Sequence, residues 1–300
     1  MVNKLYVMIG IPGSGKSYCA KKLVEEGKVD KLFSSDEYRE KLLGDINNQE
    51  DNVFVFTSLY KDLVRALKDG YNCVLDCTNI NRKSRAKLFN CLKQNNVDIP
   101  VTAILIACSE NIARERNNNR GRKVPDNVIS SFISRFEMPM LGEGFTDIEY
   151  ITYCNEYTDI SEELNKTRGF DQLNPHHTSD LFHHMARCFN YVAHRTTNKE
   201  LLVASLIHDI GKVYTQTVDD LGIGHYFRHE NIGGYMSMFM KENFFSDPVD
   251  MYKVAFYINY HMEPYRLAKA KESTLNKYKD MFGSEWDNIC LLHEADENAH

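Results

Sequence analysis

Along the first half of the chain, short apolar runs rich in branched residues alternate with segments of helical spacing. Residues 5–9 read as a buried strand, 16–26 as a helix, 36–43 as a second helix and 52–68 as a longer one closed by Gly70. A strand over 72–76 follows, then a helix from Asn81, a strand over 101–107, a helix from Ser109, a helix from Pro125 stopped by Pro139, and a last strand near 148–153. Strands separated by helices predict a parallel α/β sheet flanked by helices. Beyond about residue 160 strand signals mostly vanish and helical periodicity takes over, as over 201–207, which predicts an all-α second domain. The polar stretch 156–175 contains Gly169 and Pro175 and reads as the boundary. The expected division is therefore 1–158, a linker over 159–174, and a second domain over 175–300.

A chain of 300 residues with 43% hydrophobic and 26% charged residues has room for two cores of ordinary globular composition. No apolar run approaches the ~20 residues needed to span a bilayer, and no secretory pattern precedes the first strand. A cytoplasmic protein without membrane association is the expectation. Eight cysteines lie scattered, none paired at the spacing of a zinc knuckle, and read as reduced thiols. The net charge of -6 argues against a protein that coats nucleic acid. One basic run nevertheless stands out: Arg82, Lys83, Arg85, Lys87 and Lys93, with no acidic residue between 77 and 97. The sharper signal is histidine. All eleven lie between His176 and His300, so the two halves carry different chemistries.

Residues 10–17, Gly-Ile-Pro-Gly-Ser-Gly-Lys-Ser, match the P-loop pattern and stand between a strand and a helix, where such a loop works. Gly13, Ser14 and Gly15 let backbone amides turn toward phosphate oxygens at a helix N-terminus. Lys16 reaches the β- and γ-phosphates and the Ser17 hydroxyl ligates magnesium, so ATP and Mg2+ are the expected cofactors. The loop does not name the acceptor. In Ser35-Asp36-Glu37-Tyr38-Arg39, Asp36 can accept the proton of an attacking hydroxyl, and Arg39, on the same helical face, can bind a substrate phosphate. Spacing alone fits a helix cap and a solvated arginine equally well. Asp76 ends a strand beside the phosphates and can complete the magnesium shell. Arg114, Arg116, Arg120, Arg122 and Lys123 crowd a segment broken by three asparagines and Gly121, the composition of either a basic lid or a solvated loop.

Together, Gly-Ile-Pro-Gly-Ser-Gly-Lys-Ser, Ser-Asp-Glu-Tyr-Arg at 35–39, Asp-Cys-Thr-Asn at 76–79, and Arg116 and Arg120 before Val124-Pro125 resemble the kinase domain of phage-type polynucleotide 5'-kinases over roughly residues 4–153. The resemblance implies Asp36 as general base for the 5'-hydroxyl, Arg39 as a clamp on the adjacent substrate phosphate, Arg120 as the transition-state arginine and Arg116 on the nucleotide side. A shorter segment between Arg120 and Pro125 leaves Arg122 without an assigned role.

The second half holds Asp180, His183-His184, His208-Asp209-Ile210-Gly211-Lys212, His225, His229-Glu230, His261 and Asp296. Imidazole and carboxylate together suit divalent transition ions, and an aspartate can bridge two of them to activate water. Lys212, three past Asp209, shares its face and can meet a substrate phosphate. The order resembles the HD superfamily of metal-dependent phosphohydrolases over about residues 175–300. That resemblance implies His184, His208, Asp209 and Asp296 as one metal site, with His229 and His261 joining Asp209 at a second. His183 is the alternative first ligand, and His225 can contact substrate instead of metal. His176, His177, His194, His293 and His300 read as ordinary histidines. One or two ions such as Mn2+, Ni2+, Co2+, Zn2+ or Fe2+ are expected there.

A 5'-kinase joined to a phosphohydrolase suits a nucleic acid damaged at both ends. The expected function is end healing: ATP-dependent phosphorylation of 5'-hydroxyl ends and metal-dependent removal of 2',3'-cyclic, 2'- or 3'-phosphates. RNA or DNA ends are the substrates, with a nucleic-acid ligase acting downstream. The alternative is a nucleoside or nucleotide kinase fused to a nucleotidase for small molecules. The run from Arg82 to Lys93 is expected to touch substrate phosphates.

Overall fold

The computed structural model describes residues 3–48, 50–120, 123–174 and 179–299. Arg122 of the expected lid, Pro175 at the end of the expected linker, and His176, His177 and His300 lie outside the described residues. The chain forms two compact units. One contains residues up to Phe132 together with Pro139–Tyr153; the other contains Ile133–Met138 and the residues from Cys154 onward.

The first unit alternates strand and helix. Its elements are β1 (Leu5–Ile9), α1 (Lys16–Glu25), β2 (Lys31–Ser34), α2 (Ser35–Leu43), α3 (Asn52–Lys68), β3 (Cys73–Asp76), α4 (Arg82–Gln94), β4 (Val101–Cys108), α5 (Glu110–Asn118), α6 (Asp126–Ile133) and β5 (Asp147–Tyr153). The strands lie in the order β2-β3-β1-β4-β5, and every pairing is parallel. All residues of β3 and β4 are buried, as in a sheet covered by helices on both faces. Asp51 and Asn81 start α3 and α4 by accepting the backbone N–H of Phe54 and Ser84. Because the strands are parallel, the P-loop after β1, Asp36 after β2 and Asp76 at the end of β3 emerge on one edge.

One element was not expected and two expectations need correction. The strand β2 has only Leu32 and Phe33 as apolar residues, too few to show a pattern, and is defined by its register with β3, Leu32 against Val74. The helix after Pro125 ends at Ile133 instead of running to Pro139. Residues beyond it are held by a side chain: the Met138 N–H donates to Asn259 Oδ1 at 2.9 Å, and Asn259 Nδ2 donates to the Phe136 carbonyl at 3.0 Å. Such side-chain pairing competes with helix propagation. Finally, the basic run on α4 is not one phosphate-binding face. Lys83, Lys87 and Lys93 are exposed, but Arg85 is fully buried. Its Nε and Nη2 donate to Glu143 at 2.7 and 2.8 Å, and Nη1 donates to the Asn79 carbonyl at 3.0 Å.

The second unit contains helices α7 (Ile160–Thr167), α8 (Leu181–Ala193), α9 (Lys199–Ile207), α10 (Lys212–Thr215), α11 (His229–Ser237), α12 (Met251–Tyr260), α13 (Glu263–Leu267), α14 (Glu272–Phe282) and α15 (Glu285–Glu297). Strand structure is not wholly absent. Thr158–Asp159 (β6) pairs in parallel with Met240–Lys241 (β9), and Thr217–Val218 (β7) pairs antiparallel with Gly224–His225 (β8). The stretch expected as linker carries α7, capped by Asp159, with Ile160, Leu164 and Thr167 buried. On α8, Leu181, Met185, Cys188 and Val192 form a buried stripe that carries His184 inward with it. Helix α9 is buried nearly all round and is the unit's central rod. No helix among the described residues is long and apolar enough to cross a membrane.

Removing one partner of a buried ion pair strands the other charge. Glu143→Ala is therefore expected to destabilise the first unit by about 3–5 kcal/mol in urea unfolding, whereas Lys87→Ala is expected to change stability by less than about 0.5 kcal/mol.

Candidate functional site

In the first unit the glycines of the P-loop are dictated by geometry. Gly13 has φ of 83°, and a Cβ there would sit 2.3 Å from the Ala113 carbonyl oxygen, so any side chain collides with α5. The loop wraps Lys16, which is nearly buried and donates to the Ile11 carbonyl at 2.8 Å. Burial lowers the Lys16 ammonium to about 8, against the upward pull of Asp76 and with a further downward push from Arg120. An arriving phosphate would restore the counter-charge that Lys16 lacks. Burial likewise raises the Asp76 carboxyl, against the Ser17 hydroxyl that donates to it and the nearby Lys16. Ser17 and Asp76 thus face each other where a magnesium ion needs a hydroxyl and a carboxylate.

The cavity at this edge has a volume of about 630 Å³ and includes Lys16, Asp36, Arg39, Asp76, Arg116 and Arg120 in its wall. Asp36 accepts from Arg39 Nη1 at 3.0 Å, and Arg39 Nη2 donates to Asn52 Oδ1 at 2.9 Å. Arg39 is itself buried, so Asn52 at the start of α3 fixes where its guanidinium points. Arg116 donates to the Ser14 carbonyl at 3.0 Å and lies over the Tyr153 ring, 4.2 Å from its centroid. Arg120 donates to Asn117 Oδ1 at 2.9 Å, and the same amide oxygen accepts the Val124 N–H at 3.0 Å. Buried Asn117 therefore ties together the two ends of the expected lid. Arg114 is excluded from this set: it pairs with Glu110 and, at 3.1 Å, with Asp126. Asn52 and Asn117 were not legible as site residues, because an asparagine in a polar run carries no signal of its own.

In the second unit, two buried helices end on histidines. His208 and His261 occupy the C-cap positions of α9 and α12, where helix carbonyls lack backbone partners. Each uses Nδ1 on the carbonyl three residues earlier: His208 on Ser205 at 3.0 Å, and His261 on Ile258 at 2.7 Å. His229 at the start of α11 does the same with Tyr226 at 2.8 Å, and His184 Nδ1 lies 3.3 Å from the Ala299 carbonyl. With Nδ1–H donated to the backbone, all four rings present Nε2 inward, as metal-ligating histidines do.

The Nε2 atoms converge on Asp209, whose two carboxylate oxygens divide between them. Oδ2 lies 3.4 Å from both His184 and His208; Oδ1 lies 3.1 Å from His229 and 3.9 Å from His261. Asp296 Oδ1 closes the first group at 2.9 Å from His184 and 3.4 Å from His208. The donor atoms of His184, His208, Asp209 and Asp296 all lie within 4.8 Å of one another, as do those of Asp209, His229 and His261. His208 Nε2 and both Asp209 oxygens are buried and make no hydrogen bond of good geometry, although charged neighbours are close. A mixed imidazole–carboxylate set with idle inward donors fits divalent transition ions.

The buried charges of the cluster also hold one another. Burial alone would neutralise Asp209, but Lys212 and His208 hold it well below the carboxylate range. Burial opposes charge on His208 too, and Asp209 outweighs it, holding His208 well above the ordinary imidazole value. His261, buried beside His208 and His229, is lowered to about 4 and stays neutral. Lys212, expected to face substrate, stands 2.6 Å from Asp209 Oδ2 and donates to Gln172 at 3.0 Å. His183 is exposed and paired with Asp180, and His225 pairs with Asp219, so neither joins the cluster. Gly211 is required by packing: a Cβ there would sit 2.1 Å from the His229 carbonyl oxygen. Beside these ligands Arg266 bridges buried Glu230 and Glu263, a tie that sequence order does not reveal.

Residues 5–139 match the family model of the AAA domain. The N-terminal unit has an α/β P-loop kinase fold with a parallel sheet flanked by helices. The chain is 28% identical over 163 residues to the bifunctional polynucleotide phosphatase/kinase of Schizosaccharomyces pombe, covering 52% of this chain and 36% of that protein. It is 28% identical over 157 residues to a putative bifunctional polynucleotide phosphatase/kinase of Acanthamoeba polyphaga mimivirus, covering 50% and 33%. It is also 25% identical over 175 residues to an L-seryl-tRNA(Sec) kinase of Methanococcus maripaludis, covering 54% and 67%. The chain thus spans about a third of the length of the first two relatives.

If the histidine cluster holds ions, their binding must stabilise the fold. At a free Mn2+ concentration a hundredfold above its dissociation constant, the second unit is expected to gain about 2.7 kcal/mol in denaturant unfolding, reversed by chelation. Gly211→Ala, by displacing His229, should lose most of that gain. An equal gain in His208→Ala would argue that the ions bind elsewhere.

Proposed function

We propose that this chain heals nucleic-acid ends, phosphorylating 5'-hydroxyl termini with ATP and removing 2',3'-cyclic, 2'- or 3'-phosphates at a metal-dependent HD-type centre. The observation that carries the reading is that one chain holds two charge-matched sites: a P-loop facing a carboxylate–arginine pair, and a buried aspartate dividing its oxygens between two pairs of histidines. The polynucleotide phosphatase/kinases that it resembles support the choice of substrate. In domain terms, the kinase would take the first unit, which ends at Tyr153 and leaves out 133–138, and the phosphohydrolase the second, which includes the stretch 159–174 expected as a linker.

P-loop kinases use ATP and Mg2+. In this reading the loop amides and Lys16 hold the phosphates, and Ser17 with Asp76 would hold the magnesium ion. Asp36 accepts the proton of the 5'-hydroxyl, while Arg39, released from Asp36 by substrate, clamps the adjacent phosphate. Arg116 steadies the loop through the Ser14 carbonyl, and Arg120 leaves Asn117 to neutralise charge on the transferring phosphoryl group.

In the second unit, His184, His208, Asp209 and Asp296 would hold one ion, and Asp209, His229 and His261 a second. Bound divalent ions supply an activated water and neutralise phosphate charge. The chain's own part is orientation: four backbone carbonyls fix the imidazoles, and Asp209 keeps its charge. Lys212 is placed to exchange its contact with Asp209 for a substrate phosphate. Healed ends would pass to a nucleic-acid ligase.

Asp36→Asn is expected to lower transfer of labelled γ-phosphate to a 5'-hydroxyl oligonucleotide by a hundredfold to ten-thousandfold, while hydrolysis of a 2',3'-cyclic-phosphate oligonucleotide survives. The double variant His208→Ala/Asp209→Ala is expected to do the reverse. Faster phosphorylation of free nucleosides than of oligonucleotides would favour the small-molecule alternative.

A further inference from the structure

Between Lys212 and His229 the backbone leaves the helices and returns as the β7–β8 hairpin. Tyr226, just past it, is anchored inward. Its hydroxyl donates to the Gln172 carbonyl and accepts from Gln216 Nε2 at 2.9 Å, and Lys212 Nζ lies 5.4 Å from its ring centroid. Its carbonyl accepts the Nδ1 proton of His229. Of the residues on either side of this anchor, His225 is half-buried and Phe227 is exposed. The rings of His225 and Phe227 lie 8° from parallel with centroids 5.7 Å apart, and Phe227 is 77% exposed. Asp219 Oδ2 holds the imidazole Nε2 at 3.0 Å, and Arg228 closes the turn with φ of 66°, a conformation that few side chains adopt.

A single exposed phenylalanine would mean little. This one is already stacked, its partner ring is pinned by a carboxylate, and the backbone between the two rings orients a histidine of the metal cluster. We propose that His225 and Phe227 form a stacking platform for a nucleobase of the strand whose phosphate end is processed at Asp209. The inference rests on the phosphohydrolase reading and adds the feature that makes the substrate a nucleotide chain instead of any phosphate ester. Planar aromatic faces accept every base, so the platform gives affinity without sequence preference. Tyr226, between the two rings in sequence, connects to Asp209 through Lys212, whose Nζ lies 5.4 Å from the Tyr226 ring centroid and 2.6 Å from Asp209 Oδ2, so the platform is assigned to a base near the phosphate and not to the phosphate itself.

The test uses the full chain loaded with Mn2+. Phe227→Ala is expected to raise KM for a 2',3'-cyclic-phosphate oligonucleotide roughly tenfold relative to KM for p-nitrophenyl phosphate, the size of one lost base–aromatic stack, and Phe227→Trp should restore the ratio. In parallel, fluorescence anisotropy of an internally labelled oligonucleotide phosphorylated at both ends should show the same roughly tenfold loss of affinity, whether or not the protein is active. An unchanged ratio and unchanged affinity, as expected if the hairpin docks a protein, would overturn the platform. Equal losses on both substrates would also overturn it, by showing damage to the metal centre. A wild type that binds the labelled strand through Phe227 yet hydrolyses only p-nitrophenyl phosphate would instead defeat the end-healing reading and leave the platform standing.

Discussion

A carboxylate that must stay charged while fully buried governs the second unit. Asp209 has lost its water, and desolvation of that kind is tolerated only when cations or donors surround the charge. Four imidazoles, one ammonium and a second carboxylate gather there, and each arrives on a different element. His184 comes on the apolar stripe of α8, His208 and His261 end buried helices, His229 opens α11, and Asp296 is near the end of α15. The helices are placed so that their ends meet at this point, and the cluster joins them where hydrophobic packing alone would leave orphan carbonyls. His208 and His261 bond carbonyls of their own helix ends with Nδ1 and turn Nε2 inward, so at these two positions helix termination and ring orientation are one event.

The first unit solves a related problem by different means. Its ligand is the anion, so the protein supplies a buried cation, Lys16, and backbone amides at a helix start. Parallel strands bring the loop, Asp36 and Asp76 to a single edge without further design. The arginines are held off the phosphates by protein acceptors: Arg39 by Asp36 and Asn52, and Arg120 by Asn117. These are contacts that a substrate can replace, and until then they hold the groups in place.

Much of this was legible in the sequence because it depends on local pattern. The alternation of strand and helix, the P-loop, and the step in histidine content each follow from short-range spacing, and the ligand candidates 184, 208, 209, 229, 261 and 296 come together in space. What escaped depends on partners far apart in the chain. Strand β2 is defined by its neighbour and not by its own four residues. Arg85 looks like a phosphate-binding residue until Glu143, fifty-eight residues later, claims it. The carbonyls that orient the histidines belong to Ser205, Tyr226, Ile258 and Ala299, whose side chains are irrelevant to the task, so no residue identity could announce them. Phe227 was hidden for another reason: an aromatic residue in a loop becomes meaningful only when its ring is seen stacked.

In the proposed function the two sites act on complementary ends of one molecule, a hydroxyl to be phosphorylated and a phosphate to be removed, and their union in one chain is the account's central claim. The most direct measurement is the mass of a single RNA oligonucleotide bearing a 5'-hydroxyl and a 2',3'-cyclic phosphate after incubation with the wild-type chain, ATP, Mg2+ and Mn2+. The account predicts that individual molecules gain a 5'-phosphate and lose the phosphate at the other end. Recovery of RNA altered at one end only, under conditions that load both sites, would contradict it.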